Sequence, residues 1–232
     1  MKTTEIVLDI ETARDLREPI HAKLRSCIEP DGRLKDPEKI AADLAKKEAD
    51  IVAKAGLDPL TGRIVCVGVG VRNGGGRVIT RDVYNSIADH CENGWSYKVE
   101  LARTRDDEAW LLSCLADILQ AVDTPTLITW NGRRFDLPFI AARAALHGVR
   151  FPWRLPLGYA RDLHVDLCDV FDRGLDLWST PILGEGKPLD GGGAAVQALV
   201  DAGEWGVLRD YNLDDLRKTA ALWERVRGVV RS

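Results

Sequence analysis

A chain of 232 residues, with 32 Lys plus Arg against 36 Asp plus Glu, a net charge of -4 and 45% hydrophobic residues, has the balance of a folded globular protein. That excludes disorder and collagen-like repeats, and the mild acidity argues against a polybasic binder that neutralises phosphates over a broad face, though not against nucleic acid as a substrate. One domain spanning 1–232 is the expectation at this length.

Ile6–Ile10 reads as a short buried strand, and Arg63–Arg72 (RIVCVGVGVR) as a second, rich in the β-branched residues that suit a pleated sheet. Between them, residues 14–60 form a charged insertion in which Ile40, Leu44, Ile51 and Ala55 predict one amphipathic surface helix. Asn73–Gly76 is a turn signal, so Arg77–Tyr84 (RVITRDVY) is expected to pair as a third antiparallel strand. From Thr104 and Asp106 onward, Trp110, Leu111, Cys114, Leu115, Ile118 and Leu119 recur at helical spacing. Thr126–Trp130 then reads as a strand, Leu137–Leu146 as a helix stopped by Gly148, and Arg161–Cys168 as a further strand or strand-to-helix step. The Gly- and Pro-rich stretch Leu175–Gly193 predicts a loop, and Val207–Val226 a long final helix. Packing into the core is expected of Trp110, Trp130 and Trp223. The order βββαβαβα predicts an α/β fold: a central mixed sheet, three antiparallel strands then parallel ones, with helices on both faces.

The apolar run after Lys2 stops at Asp9, and no stretch approaches the ~20 apolar residues of a membrane span, so a soluble cytoplasmic protein without a membrane partner is expected. Cys27, Cys66, Cys91, Cys114 and Cys168 form no C-x-x-C pair, which points to neither a disulfide framework nor a zinc ribbon.

Three acidic segments carry the chemistry. Asp9 and Glu11 stand two apart at the end of a hydrophobic strand and therefore share one face, unless that strand end simply meets solvent. WNGRRFDLPFIAARA (Trp130–Ala144) delivers Asp136 to the start of a helix, where a helix cap is the plain alternative. In the last helix Tyr211 and Asp215 sit at i and i+4 on one face, with Asp214 turned toward solvent. His164, Asp166 and Cys168 share a face if extended, but three mixed ligands fit a structural cluster better than a metal site. Gly191–Gly193 lacks the Lys-Ser/Thr ending of a P-loop and reads as a loop.

Taken in order, these segments resemble the DEDDy family of 3'-5' exonucleases on the ribonuclease H-like fold. The likeness is nearest to the proofreading exonuclease domain of family B DNA polymerases, here as a stand-alone chain. Asp9-Ile10-Glu11-Thr12 corresponds to the first motif, Asn131 through Asp136 to the second, and Tyr211 with Asp215 to the third. The histidine branch would need His five residues before the aspartate, where Asp210 stands. Arg161–Leu167 (RDLHVDL) also looks familial. The insertion 14–60 departs from the compact family pattern and leaves the substrate's entry path open.

That resemblance implies two divalent cations, Mg²⁺ or Mn²⁺, held by Asp9, Glu11, Asp136 and Asp215. It implies a catalytic set of those four with Tyr211, whose phenol, ordinarily titrating near ~10, orients the attacking water. Thr12, Asn131 and Phe135 are expected at the terminal nucleotide, and Arg133 and Arg134 at phosphates, with Arg217 and Lys218 as further cations near the third motif. The implied partner is the 3' end of single-stranded nucleic acid, DNA ahead of RNA. A 3'-5' exoribonuclease, or a non-catalytic nucleic-acid-binding scaffold on the same fold, are the alternatives.

Overall fold

The computed structural model describes residues 4–18, 20–72, 88–121, 125–151, 163–186 and 192–230. Its centre is a six-stranded mixed sheet in the order β3-β4-β2-β1-β5-β6. The strands are β1 (Glu5–Arg14), β2 (Gly62–Arg72), β3 (His90–Glu92), β4 (Trp95–Leu101), β5 (Thr126–Thr129) and β6 (His164–Asp166). β1, β2, β4 and β3 pair antiparallel, whereas β1, β5 and β6 pair parallel. Eight helices are described: α1 (Ile20–Ser26), α2 (Pro37–Lys54), α3 (Asp107–Gln120), α4 (Asp136–His147), α5 (Cys168–Phe171), α6 (Leu175–Leu183), α7 (Gly193–Ala202) and α8 (Trp205–Val230).

Period-two alternation along β1 divides the molecule. Ile6, Leu8 and Ile10 face one side, where Leu111, Leu115 and Leu119 of α3 and Leu137 and Ile140 of α4 close over them. Val7 and Ala13 face the other, packed with Leu208, Leu216 and Trp223 of α8. Each such fully buried side chain stabilises the fold by roughly 1.5–3 kcal/mol relative to exposure. Helices thus cover both faces, and a strand buried on both sides matches the continuous apolar run that marked it.

Several local expectations are revised. Residues 77–84 lie outside the described residues; the strand beside β2 is β4, reached through a β3–β4 hairpin. Its turn, Asn93-Gly94, has φ of 52° and 83°, the left-handed pair that a two-residue hairpin loop requires. The 175–193 stretch is not all loop. α6 runs through Pro181 because Leu175 and Ser179 are buried and Trp178, Ile182 and Leu183 pack on the core, which outweighs the missing proline donor. Trp110 is 52% exposed, and the buried stripe of α3 instead begins at Glu108, which is 0% exposed. Trp130 is half-buried and Trp223 fully buried.

The insertion holds two helices rather than one. Asp36 caps α2 by accepting from the Glu38 N–H (2.9 Å) with Pro37 in the first turn, and neither α1 nor α2 contributes a fully buried residue. Its base is tied to the sheet by Asp15 N–H to Thr61 O, 2.6 Å, and by Thr12 Oγ1 to Gly56 O, 2.6 Å.

Candidate active site

Asp9 and Glu11 project from β1 to the side covered by α8, while Ile10 between them enters the opposite core. Asp215 comes from α8 and meets them, so that one oxygen from each of the three carboxylates lies within 4.8 Å of the others. Tyr211, one turn earlier on α8 and 5% exposed, stands in the same cleft. The close approach of helix to sheet depends on Gly68, which pairs with Asp9 across β1 and β2. A Cβ at Gly68 would fall 1.9 Å from Asn212 Oδ1. Asn212, fully buried, uses that space to donate from Nδ2 to Asp9 Oδ2 at 2.7 Å and so fixes the carboxylate's orientation. Asn212 is absent from the sequence expectations.

Asp136 begins α4 and is 3% exposed. Its Oδ1 accepts from the Ile10 N–H at 3.1 Å, and it stands apart from the cluster of three. Burial raises its pKa to about 7, partly offset by that N–H and reinforced by the negative charge of Asp166. The turn leading to it is held from β6. Asp166, 3% exposed, accepts from the Asn131 N–H (2.8 Å), the Arg133 N–H (2.9 Å) and the Cys168 N–H (3.1 Å). Asn131 adopts φ 63°, in the left-handed region. Gly132 is also required there, because a Cβ would lie 2.5 Å from the Thr129 side chain. His164 meets Thr129 Oγ1 through Nε2 at 2.8 Å, and burial lowers its pKa to about 4. The His164–Asp166–Cys168 segment is therefore structural support for the second motif, as its composition suggested.

Asp9, Glu11, Asn131, Arg133, Arg134, Phe135, Tyr211 and Asp215 line one cleft of about 650 Å³. Thr12 does not join them. A bulge between Glu11 and Thr12 turns it to a second cavity beside Gly56 and Gln197, where its hydroxyl is engaged with Gly56 O. Arg133 reaches Asp169 at 2.5 Å, whereas Arg134 is exposed. Of the two cations near the third motif, Arg217 pairs with Glu92 (2.6 Å) and Lys218 is buried, 1% exposed, donating to Gly186 O (2.7 Å) and Asp214 (2.6 Å). Lys218 is thus a tie between α8 and the segment after α6 rather than a solvated charge, and Asp214 serves as its counter-ion.

A mixed sheet of this order, with carboxylates on the first strand and the last helix meeting over one face, defines an α/β domain of the ribonuclease H-like class. The chain belongs to the family described as predicted 3'-5' exonucleases related to the exonuclease domain of PolB, whose family model matches residues 79–231. That match includes Asp136, Tyr211 and Asp215 and begins beyond Asp9 and Glu11. Among curated proteins, DNA polymerase 1 of Aeropyrum pernix is 28% identical over 186 residues, covering 71% of this chain and 18% of that protein. Among solved structures, the family B DNA polymerase of the hyperthermophilic archaeon Pyrobaculum calidifontis aligns with a TM-score of 0.59 at 17% identity, over 97% of this chain and 24% of that one. The chain therefore spans less than a quarter of either relative's length. Among the described residues, no helix is long and apolar enough to cross a membrane.

Proposed function

We propose that this chain is a metal-dependent 3'-5' exonuclease of the DEDDy type that releases 5'-mononucleotides from the 3' end of single-stranded DNA. The observation that carries the reading is the convergence of Asp9, Glu11 and Asp215 within 4.8 Å in a cleft shared with Tyr211. Three carboxylates so close repel one another, and as hard oxygen donors they suit Mg²⁺ or Mn²⁺. Asp9, Glu11 and Asp215 would hold one ion, and Asp9 and Asp136 would serve a second. Bound there, the ions supply charge neutralisation to an in-line displacement at phosphorus.

The chain's own side chains do the positioning. Tyr211 orients the attacking water by its hydroxyl, Asn212 holds Asp9, and Phe135 and Asn131 receive the terminal nucleotide. Water bonds to phosphorus as the bond to the 3'-oxygen of the preceding nucleotide breaks. That oxygen takes up one proton to become the new 3'-hydroxyl, and the second proton of the water passes to solvent. The relationship to DNA polymerases supports DNA over RNA.

A time course on matched 5'-labelled single-stranded DNA and RNA, with Mg²⁺, Mn²⁺ or chelator, tests the reading. A shortening ladder that needs metal and is faster on DNA is expected; undegraded strands with either metal would overturn it. Tyr211→Phe should lower kcat by about 10²-fold while leaving KM within a few-fold, because the hydroxyl acts on water rather than on the strand.

Gly68→Ala tests the support behind Asp9. The added methyl must displace Asn212 or Leu216, whose Cδ1 would be 2.5 Å away. A loss of about 1–3 kcal/mol of stability is expected, seen as a lower Tm. A fall of about 10²-fold in nuclease rate should accompany it as Asp9 loses its donor. Unchanged activity would mean that Asn212 does not orient the site.

A further inference from the structure

The cleft is short of positive charge. Among the described residues, six carboxylates line it against three guanidinium groups, those of Arg133, Arg134 and Arg173. Arg133 is spent on Asp169 at 2.5 Å and is only 12% exposed. A phosphodiester backbone entering here meets repulsion along most of the wall, and ions at the carboxylate cluster relieve it only at that end. The remaining guanidiniums come from two different turns at the cleft, Arg134 on the turn after β5 and Arg173 on the turn between α5 and α6.

Arg173 is mounted for this task. Its carbonyl oxygen accepts from Trp130 Nε1 at 3.1 Å and from Cys168 Sγ at 3.8 Å, which pins its backbone to the wall that carries the second motif. Trp130 is itself stacked on Phe171 (5.5 Å, 16°), and Phe171 in turn packs against Trp178 at 5.2 Å. Asp172 takes a left-handed φ of 56°, ending α5 and turning the chain at the cleft. The Arg173 side chain nevertheless remains 71% exposed, and its ionic neighbour among the described residues is Asp172, at a distant 3.9 Å. A tied backbone that carries an exposed guanidinium with only a distant ionic neighbour leaves its donor fork available to a phosphate, as a tight structural ion pair does not.

We infer that Arg173, together with Arg134, forms a phosphate clamp that holds the backbone of the single strand in this cleft. The inference rests on the exonuclease reading for its substrate. It adds a residue outside all three acidic motifs, and it replaces Arg133, which Asp169 occupies.

The test compares wild type, Arg173→Ala, Arg173→Lys and, as a remote surface control, Arg33→Ala, whose side chain is 89% exposed on the insertion. KM and kcat are measured on a ten-nucleotide single-stranded DNA with Mg²⁺ over a range of salt. Binding of the same oligonucleotide is read by fluorescence anisotropy in chelator. Arg173→Ala should raise KM about five- to tenfold with kcat within about twofold, and flatten the slope of log affinity against log salt by about 0.7, the share of one single-strand phosphate contact. Arg173→Lys should keep the wild-type slope, since it keeps the charge, and Arg33→Ala should change neither quantity. An unaltered KM and slope in Arg173→Ala, or a loss of Tm and kcat with the slope unmoved, would overturn the clamp while leaving the exonuclease intact. Wild type that cleaves nothing yet binds with an Arg173-dependent slope would uphold the clamp and remove the hydrolytic reading.

Discussion

Asp215→Ala is expected to retain less than about one-thousandth of the wild-type rate of 3' shortening, and Asp9→Ala the same. Asp9 and Asp215 are two of the three oxygen donors within 4.8 Å, and they come from elements far apart in sequence, β1 and α8. Losing either leaves two carboxylates, too few to concentrate a divalent ion that retains most of its own water. The fold should survive. Asp215 is at the cleft wall, while the α8 residues that anchor the helix, Leu208, Leu216 and Trp223, lie on its sheet side. The measurement is a single-turnover rate beside a thermal melt, with and without Mn²⁺. Wild-type protein should melt higher with the metal and Asp215→Ala should not. Near-full activity in Asp215→Ala would sink the metal-site assignment.

The largest effect on stability is expected on the opposite face. Glu108, 0% exposed, accepts from the Ile64 N–H (2.8 Å), from Arg143 Nε (2.8 Å) and Nη2, and is met by His147 Nε2 at 2.8 Å. Burial alone would raise its pKa, but the Arg143 guanidinium and the Ile64 N–H outweigh that and hold it below the usual glutamate value. Arg143, 1% exposed, also donates to Pro59 O at 2.9 Å, so the pair binds α3, α4 and the end of the insertion together. Glu108→Ala leaves a guanidinium buried without its carboxylate and should cost about 3–5 kcal/mol. In a protein of this size that lowers Tm by roughly 10 °C. Replacing both partners, Glu108→Leu with Arg143→Met, should recover part of the loss, because the unpaired charge is gone while the Ile64 N–H and Pro59 O lose their side-chain partners. If Glu108→Ala melts within a degree or two of wild type, the pair is not what joins these elements.

The site was more legible than its setting. Asp9 and Glu11 could be placed on one face because the strand period is two, and Tyr211 with Asp215 because the helix period brings i and i+4 together. Asn212 and Gly68 are not legible in the sequence because their importance lies in a contact between β2 and α8, which no local pattern encodes. Asp166 was set aside as structural, and the structure gives the reason: its acceptors are spent on three backbone N–H groups of the second motif and its own segment. The phase of α3 at Trp110 is not legible from hydrophobicity, which ranks Trp above Glu, whereas the buried position belongs to Glu108 because Arg143 pairs with it there. Asn93-Gly94 is itself a strong turn signal, masked in the sequence by the longer glycine run at Gly74–Gly76.

The central place of β1 also sets a timescale for the site. From Glu5 to Val7 the strand is paired on both edges, to β2 and β5, and Ile6, Val7 and Leu8 are at most 1% exposed. Its amides should exchange with deuterated solvent only when the whole molecule unfolds, whereas those of α1 and α2, with no buried residue, should exchange by local opening. Asp9 and Glu11 follow directly from that slowest segment. Their carboxylates would keep their separation through every partial opening of the insertion beside them, so motion there can change access to the cleft without loosening it.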